Sequence, residues 1–372
     1  MSITPILQFG TSRFLQAHAD LFISEAMERG DALGPVAVVQ SSGDAGRSKR
    51  LAALAAPGGF PVRIEGLDGG RHVRHETRVT SVIRALSTAT DWPEICRIAI
   101  EEARVILSNT ADSGWIAQPQ DAAPEFDQQM SYPAKLTHLL GARFRAGGPG
   151  LTVLPTELVA RNGDRLRRRV LDIAHALDPA LANWIEGEVI FGNSLVDRIV
   201  SEPLEPAGAV AEPYALWAIE AHPGLTLPCR HPAVRLVPDL DRIEKLKLHI
   251  LNLGHSYLVA GWLSQGGEAS PLVRDRLADR ALRDDLETLY RDEVLPVFAA
   301  AGYGVEAVEY VATTLDRFAN PFLDHKLSDI AQNHAEKVRR RIGALLDWAR
   351  TLGVDVAAPR LRMIVAGQGA AA

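Results

Sequence analysis

The stretch Ile6-Leu-Gln-Phe9-Gly10-Thr-Ser-Arg-Phe14, with a helical pattern and then Pro35-Val-Ala-Val-Val-Gln40 behind it, decides how the first half of the chain is read. Ile6–Phe9 is a short apolar run, the pattern of a buried strand. Gly10 breaks it, and Leu15, Ala19, Phe22, Ile23, Ala26 and Met27 then recur at helical spacing as far as Gly30. Residues 35–40 read as a second buried strand. A strand, a glycine turn, a helix and a strand open a dinucleotide-binding unit, in which helix amides face a pyrophosphate. Gly10 stands at the first glycine of that fingerprint, but Ser12 and Leu15 replace the second and third, so from spacing an ordinary strand–helix turn is an equal reading. Candidate cofactor contacts here are Phe9, Gly10, Thr11, Ser12, Arg13 and Phe14. Gln40 ends the second strand, where a carboxylate would bond the ribose 2′-hydroxyl of NAD. Arg47, Lys49 and Arg50 follow, as candidates for a 2′-phosphate or as a solvated basic run. NAD is the expected cofactor, with NADP left open.

Residues 60–82 alternate around Asp68-Gly69-Gly70 like an antiparallel pair. Ala103-Arg-Val-Ile-Leu107 is a further buried strand, and Asn109 and Thr110 at its carboxyl end lie where an open α/β sheet binds ligands. Further strands are expected at residues 151–154, followed by Glu157 and Arg161, and at 187–191, with Asp197 on the carboxyl side. A turn-rich stretch, 202–238, carries seven of the chain's 22 prolines and separates the halves. Beyond it the pattern is helical to about residue 353, with long amphipathic segments at 270–301 and 336–352. Asn320-Pro321 interrupts it, and Arg317 and His325 flank the break. The expected fold is α/β: a Rossmann-type domain over residues 1–238, then a mostly helical domain over 239–372.

Within that second half, Lys247-Leu-His-Ile-Leu-Asn252-Leu-Gly-His255 opens a helix reaching Trp262. Leu246, Leu248, Ile250, Leu251, Leu253 and Leu258 point all round its axis, the mark of a buried helix. Lys247, Asn252 and His255 fall within an arc of about 140° at α-helical spacing. A lysine, an amide and an imidazole are rarely buried together unless paired or used in chemistry.

Composition bounds the rest. A chain of 372 residues has length for two sizeable cores. A net charge of −6 offers no basic patch for nucleic acid or an anionic membrane. The first residues lack the regions of a signal peptide, and no apolar run reaches membrane-spanning length. Cys96 and Cys229, the two cysteines, fit no metal or redox spacing. The expectation is a cytoplasmic, metal-independent protein acting on a small molecule.

Six motifs in order carry a family resemblance: Leu7-Gln-Phe-Gly-Thr-Ser-Arg-Phe14, Ser108-Asn-Thr110, the stretch from Glu157 to Gly163, Val196-Asp-Arg-Ile199, Lys247 to His255, and Arg317-Phe-Ala-Asn-Pro321. In these the chain resembles the polyol-specific long-chain dehydrogenase (mannitol dehydrogenase) family, and most of all its tagaturonate and fructuronate reductase branch. The resemblance implies a nicotinamide cofactor, no metal, and a cleft between a Rossmann-type and a helical domain. It implies Lys247 as the acid/base, Asn252 as a donor to the developing alkoxide and His255 as the group orienting the sugar. Leu158 departs from the mannitol branch, which has an asparagine there. For a hexuronate carboxylate, Arg161, Arg317 and Lys326 are the candidate cations, and Glu157, Asp197, Asn320 and His325 complete the expected substrate contacts. The expected reaction interconverts a ketose or ketouronate with its polyol or aldonate. The alternatives are a hydroxyacid or 6-phosphogluconate type of dehydrogenase, and a catalytically inactive nicotinamide-nucleotide sensor.

Overall fold

The computed structural model describes residues 3–267, 269 and 271–369. The Arg47 side chain lies outside the described part, as does the end of the small-residue tail at 370–372. The chain forms two compact units: Met1–Ile64 with His75–Ala211 and Ala215–Leu240, and Glu65–Arg74 with Glu212–Tyr214 and Asp241–Ala372.

The strands, in chain order, are β1 (Ile6–Phe9), β2 (Val36–Gln40), β3 (Phe60–Asp68), β4 (Arg71–Val79), β5 (Val82–Ser87), β6 (Val105–Ser108), β7 (Thr152–Pro155), β8 (Ile190–Phe191), β9 (Ser194–Asp197), β10 (Val200–Pro203), β11 (Ala209–Ala211), β12 (Leu216–Glu220) and β13 (Val234–Val237). Six of them form one sheet in the order β5-β2-β1-β6-β7-β8, with every neighbouring pair parallel. Ranked by position in the chain, that is the order 3-2-1-4-5-6 of a dinucleotide-binding sheet, and its switch point falls between β1 and β6. All residues of β1, β2, β6 and β7 are buried, which is why these strands read as unbroken apolar runs rather than alternating ones.

The helix expected after Gly10 is in fact two, α1 (Arg13–Gln16) and α2 (Ala19–Arg29). The break is at His18, whose backbone leaves helical geometry at φ −128°, ψ −98°. Its fully buried ring stacks on Phe14 and places Nε2 3.0 Å from the Leu216 carbonyl, while Arg198 donates to the Ala17 carbonyl at 2.7 Å. Burial holds the imidazole neutral, with its pKa lowered to about 3. The stretch 202–238, expected as turns, also differs, for β11, β12, β13 and part of β10 lie in it. Leu216-Trp217-Ala218-Ile219 is wholly buried and pairs with β9 and β13. The prolines sit at strand ends and between strands, where they remove no ladder hydrogen bond. The late strand shrinks to β8, since Gly187 and Glu188 end the helix Pro179–Glu188.

The first unit's remaining helices are α3 (Ser48–Leu54), α4 (Trp92–Glu101), α5 (Tyr132–Arg145), α6 (Asn162–Leu177) and α7 (Pro179–Glu188). The second unit is helical: α8 (Asp241–Leu246), α9 (Leu253–Ser264), α10 (Val273–Ala278), α11 (Arg280–Leu289), α12 (Leu295–Ala300), α13 (Gly304–Phe318), α14 (Leu327–Ala331), α15 (His334–Val338), α16 (Ala344–Thr351) and α17 (Pro359–Gly369). The long amphipathic segments are each interrupted by a π-helical turn, Tyr290–Val294 and Arg339–Gly343. A third π turn, Lys247–Asn252, joins α8 to α9. The core packs Ile250, Leu251, Leu253, Leu258 and Val259 against Leu286, Leu289, Phe298, Phe318 and Ile342. Tyr290 donates its hydroxyl to the Ile250 carbonyl at 2.9 Å and lies directly on Gly254, where any Cβ would overlap it. The tip of the β3–β4 hairpin belongs to this unit: Gly70 N donates to Asp316 at 3.0 Å, and Asn320 Nδ2 to the Glu65 carbonyl at 3.4 Å.

One buried group in the first unit has a signed pH consequence. Asp20, in the first turn of α2, is 1% exposed, and burial raises its carboxyl pKa to about 7. The folded protein therefore keeps a proton that the unfolded chain releases from pH 3.8 upward, and ionisation opposes folding as pH rises through that window. Asp20→Asn is expected to leave the melting temperature at pH 4 nearly unchanged and to raise it by several degrees at pH 8. A lower melting temperature at pH 8 in thermal denaturation would refute a protonated Asp20.

Candidate active site

In the first unit the loop after β1 and the loop after β6 meet at the switch point. Gly10 holds φ +123°, and a Cβ there would come within 2.6 Å of the Asn109 carbonyl, so only glycine lets the two loops approach this closely. Ser12 caps α1 by accepting from Leu15 N at 3.2 Å and donates to Asn109 Oδ1 at 3.1 Å. Asn109 Nδ2 donates to the Thr156 carbonyl and hydroxyl, both at 3.1 Å. Around these loops lies a cleft of about 770 Å³, lined among others by Gly10, Thr11, Ser12, Arg13, Gln40, Asn109 and Thr110. That volume and its open mouth fit a dinucleotide-sized ligand.

Two expected cofactor contacts fall elsewhere. Phe9 is fully buried with its ring 5.3 Å from Tyr132, and Phe14 stacks on His18; neither lines the cleft. Their neighbours in sequence do the lining, because alternate residues of a strand and of a helix start face opposite ways. Gln40 does line the cleft, but its Nε2 donates to Ser42 Oγ and the Asp44 carbonyl, so the amide shapes the loop. Lys135 and Tyr132, from the helix α5 (Tyr132–Arg145), line the cleft with Ser41 and Gln128, and no sequence motif marks any of the four.

Glu157 is buried at the end of β7. It accepts from Ser108 Oγ at 3.0 Å, Thr110 N at 2.9 Å, Thr110 Oγ1 at 3.1 Å and Trp115 Nε1 at 3.4 Å, and burial raises its pKa. It thus braces the 108–110 loop, its carboxylate oxygens engaged by that loop's own donors. Arg161 is exposed, has a left-handed backbone at φ 52° and pairs with Asp164, and Leu158 points to solvent at 80% exposure. Asp197 is buried at the end of β9.

In the second unit the segment bearing Lys247 departs from the straight α-helix expected. Leu253 N bonds the Leu248 carbonyl, the five-residue step of a π turn. Residues five apart then stand nearer one face, so Lys247 and Asn252 are closer around the axis than the roughly 140° of α-helical spacing. His255 follows Asn252 by three residues in α9 and continues the same face. Burial differs too: His255 is buried, but Lys247 and Asn252 are only half-buried. The Asn252 side-chain amide makes no hydrogen bond among the described residues, while its carbonyl accepts from Arg341 at 3.2 Å. Arg341 also donates to Ser256 Oγ at 3.0 Å; no motif marked it.

The break at Asn320-Pro321 brings His325 to 4.9 Å from the His255 ring, with Phe318 4.4 Å from it on another side. Burial lowers the His325 pKa, so it is neutral near pH 7. Arg317 is held by Glu212 in a buried two-point pair at 3.0 and 2.8 Å and lies over the Tyr214 ring. Its charge is therefore matched within the chain, against the expectation of a cation held for substrate. Asn320 is buried, its Oδ1 accepting from Phe322 N at 3.0 Å, and Lys326 is exposed. Among the described residues no group of His, Cys, Asp and Glu side chains is arranged to hold a metal ion, and no helix is long and apolar enough to cross a membrane.

Comparison with known proteins agrees with this architecture. Residues 4–226 match the mannitol dehydrogenase Rossmann domain and residues 239–368 the mannitol dehydrogenase C-terminal domain. An altronate oxidoreductase of Bacillus subtilis is 31% identical over 94% of this chain and 76% of its own length. One from Cronobacter sakazakii is 30% identical over 91% of this chain and 73% of its own. Of solved structures, a D-sorbitol dehydrogenase in substrate-free form superimposes with a TM-score of 0.81 at 21% identity, covering 96% of this chain and 78% of that one. The Pseudomonas fluorescens mannitol 2-dehydrogenase ternary complex with NAD and D-mannitol gives 0.73 at 20% identity, covering 99% and 78%. The chain belongs to the mannitol dehydrogenase family of NAD(P)-dependent oxidoreductases acting on CH–OH groups.

Proposed function

We propose that the protein interconverts a six-carbon ketouronate, of which tagaturonate is the first candidate, with the corresponding aldonate, altronate, and that Lys247 carries the proton. The observation that supports it most is the π turn that brings Lys247 nearer the face of Asn252 and His255. Altronate oxidoreductases as relatives support the substrate class.

The cleft in the first unit suits the cofactor. The Gly10 backbone, where a Cβ would strike the neighbouring loop, and the polar lining from Thr11, Ser12, Asn109 and Thr110 would hold its pyrophosphate and nicotinamide end. When bound, the nicotinamide supplies or accepts the hydride. The chain's own residues handle the proton and the charge. In reduction Lys247 gives its Nζ proton to the carbonyl oxygen as that oxygen becomes an alkoxide; in oxidation the neutral amine takes the hydroxyl proton. The unengaged amide of Asn252 donates to the same oxygen and stabilises the charge that grows on it. His255 orients a substrate hydroxyl, with His325 and Phe318 fixing its ring.

Two outcomes test this. Purified protein with reduced nicotinamide cofactor is expected to consume it on addition of tagaturonate, faster than with fructuronate or fructose, followed by absorbance. Inactivity toward every ketouronate and ketose offered would overturn the reading. Lys247→Ala is expected to lower kcat about 100- to 10,000-fold while cofactor binding, measured by fluorescence titration, persists; turnover at the parent rate would remove Lys247 from the mechanism.

A further inference from the structure

Resting on the cofactor reading above, we infer that the ribose corner of the cleft is built for a 2′-phosphate, so that this chain takes NADP(H) in preference to NAD(H), with Arg50, Ser41, Ser42 and Lys135 as the groups that select it. In a sheet of this order the adenosine ribose lies at the carboxyl end of the second strand, here β2. A carboxylate at that point accepts from the ribose hydroxyls and repels a phosphate. Gln40 occupies the position instead, and its Nε2 is engaged by Ser42 Oγ at 3.3 Å and the Asp44 carbonyl at 2.9 Å.

The groups facing the corner are donors and cations. Ser41, Ser42 and Arg50 line it, and Arg50 has no hydrogen-bond or ion-pair partner among the described residues. Lys135 reaches the same loop from α5: it is 3% exposed, and its Nζ donates to the Ser41 carbonyl at 2.7 Å. An ammonium has three donors, and no carboxylate lies within ion-pair distance of this one among the described residues. A buried cation with one neutral acceptor is costly to keep, and burial lowers its pKa to about 8. A phosphate oxygen set against Lys135 and Arg50 would complete both shells with charge-assisted bonds.

Asp127 and Asp121 act on Lys135 from beyond ion-pair distance and favour its charged form, but neither lines the cleft. Glu205 is the carboxylate among the described lining residues, and it belongs to the segment after β10, which Arg13 meets through the Ser201 carbonyl at 3.5 Å, on the side of the first turn. Asp44, in the β2 loop, does not line the cleft, and its Oδ1 accepts from Gly46 N at 2.9 Å. The loop is also pinned in place: the Ser41 carbonyl accepts from Gln128 Nε2 and Thr88 Oγ1 as well, both at 3.1 Å. A fixed loop with serine hydroxyls and amides beside two cations is a receptor for a phosphomonoester.

The test is equilibrium binding of NADP⁺ and NAD⁺ to the full chain by calorimetry, with 2′,5′-ADP and 5′-AMP as competitors, so that no substrate is needed. The expected result is NADP⁺ affinity at least tenfold above that of NAD⁺, with the gap narrowing as salt rises, and 2′,5′-ADP outcompeting 5′-AMP. Arg50→Ala should cut the NADP⁺ to NAD⁺ affinity ratio at least tenfold, and Ser42→Asp, which restores a carboxylate, should invert the preference. Arg50 is half-exposed on a short helix, so its variant keeps the fold even if Lys135→Met does not. NAD⁺ binding as tightly as NADP⁺, or an unchanged ratio in Arg50→Ala, would overturn this inference alone; binding of neither dinucleotide would overturn it together with the cofactor reading.

Discussion

The first unit depends on one residue, Asn109, at the point where the sheet changes direction. Its backbone amide donates to the Phe9 carbonyl at 2.9 Å, its carbonyl presses on Gly10, its Oδ1 accepts from Ser12, and its Nδ2 reaches Thr156. Three strand ends, β1, β6 and β7, are thereby held at one spacing. Glu157 strengthens the same junction by accepting from Ser108, Thr110 and Trp115. Removing the Glu157 carboxylate would leave the Ser108, Thr110 and Trp115 donors without that acceptor, each costing about 1–3 kcal/mol, and removing the Asn109 amide would free Ser12 and Thr156 from each other's loop. A binding loop that must present backbone groups to a phosphate needs such rigidity, since ordering it at binding would consume affinity.

The second unit uses a different device. A single π turn carries one more residue than an α turn would need, and this surplus changes which side chains share a face. Tyr290 takes the Ile250 carbonyl, and Arg341 takes that of Asn252. Those two donors, with Gly254 allowing Tyr290 to approach, hold the turn in a geometry that α-helical propensity alone opposes. The spacing of Lys247, Asn252 and His255 around the helix is therefore a product of tertiary contacts made by residues 36 to 89 positions away, and helical periodicity cannot contain it.

How much was legible follows from this. The opening strands, the glycine turn and the end of β6 that borders the cleft were readable, because buried parallel strands are short apolar runs and a glycine with positive φ has few substitutes. The family motifs single out Lys247, Asn252 and His255 as candidates. The break at His18, the strands between residues 209 and 237, and the π turns were not readable. His18 breaks a helix through a hydrogen bond to Leu216, nearly 200 residues away, and β12 hides among prolines that mark its ends. Lys135 belongs to no motif, and only the fold turns it toward the β2 loop.

Donor accounting then separates scaffold from site in a way that residue type does not. Glu157, Arg317 and Gln40 all read from sequence as ligand contacts, and in the structure each is engaged by its own chain: Glu157 by four donors, Arg317 by Glu212, Gln40 by the β2 loop. A polar group satisfied inside the fold gains little from a ligand and loses its existing partners by turning to one. The Asn252 amide, the Arg50 guanidinium and two of the three Lys135 donors are different, since the described residues offer them no acceptor. Arg50 and Lys135 line the cleft of the first unit, and Asn252 is half-buried in the second. Each has donor capacity to offer, two as cations and one as a neutral amide, and this shared capacity is the physical argument for the anionic and alkoxide-bearing ligands proposed above.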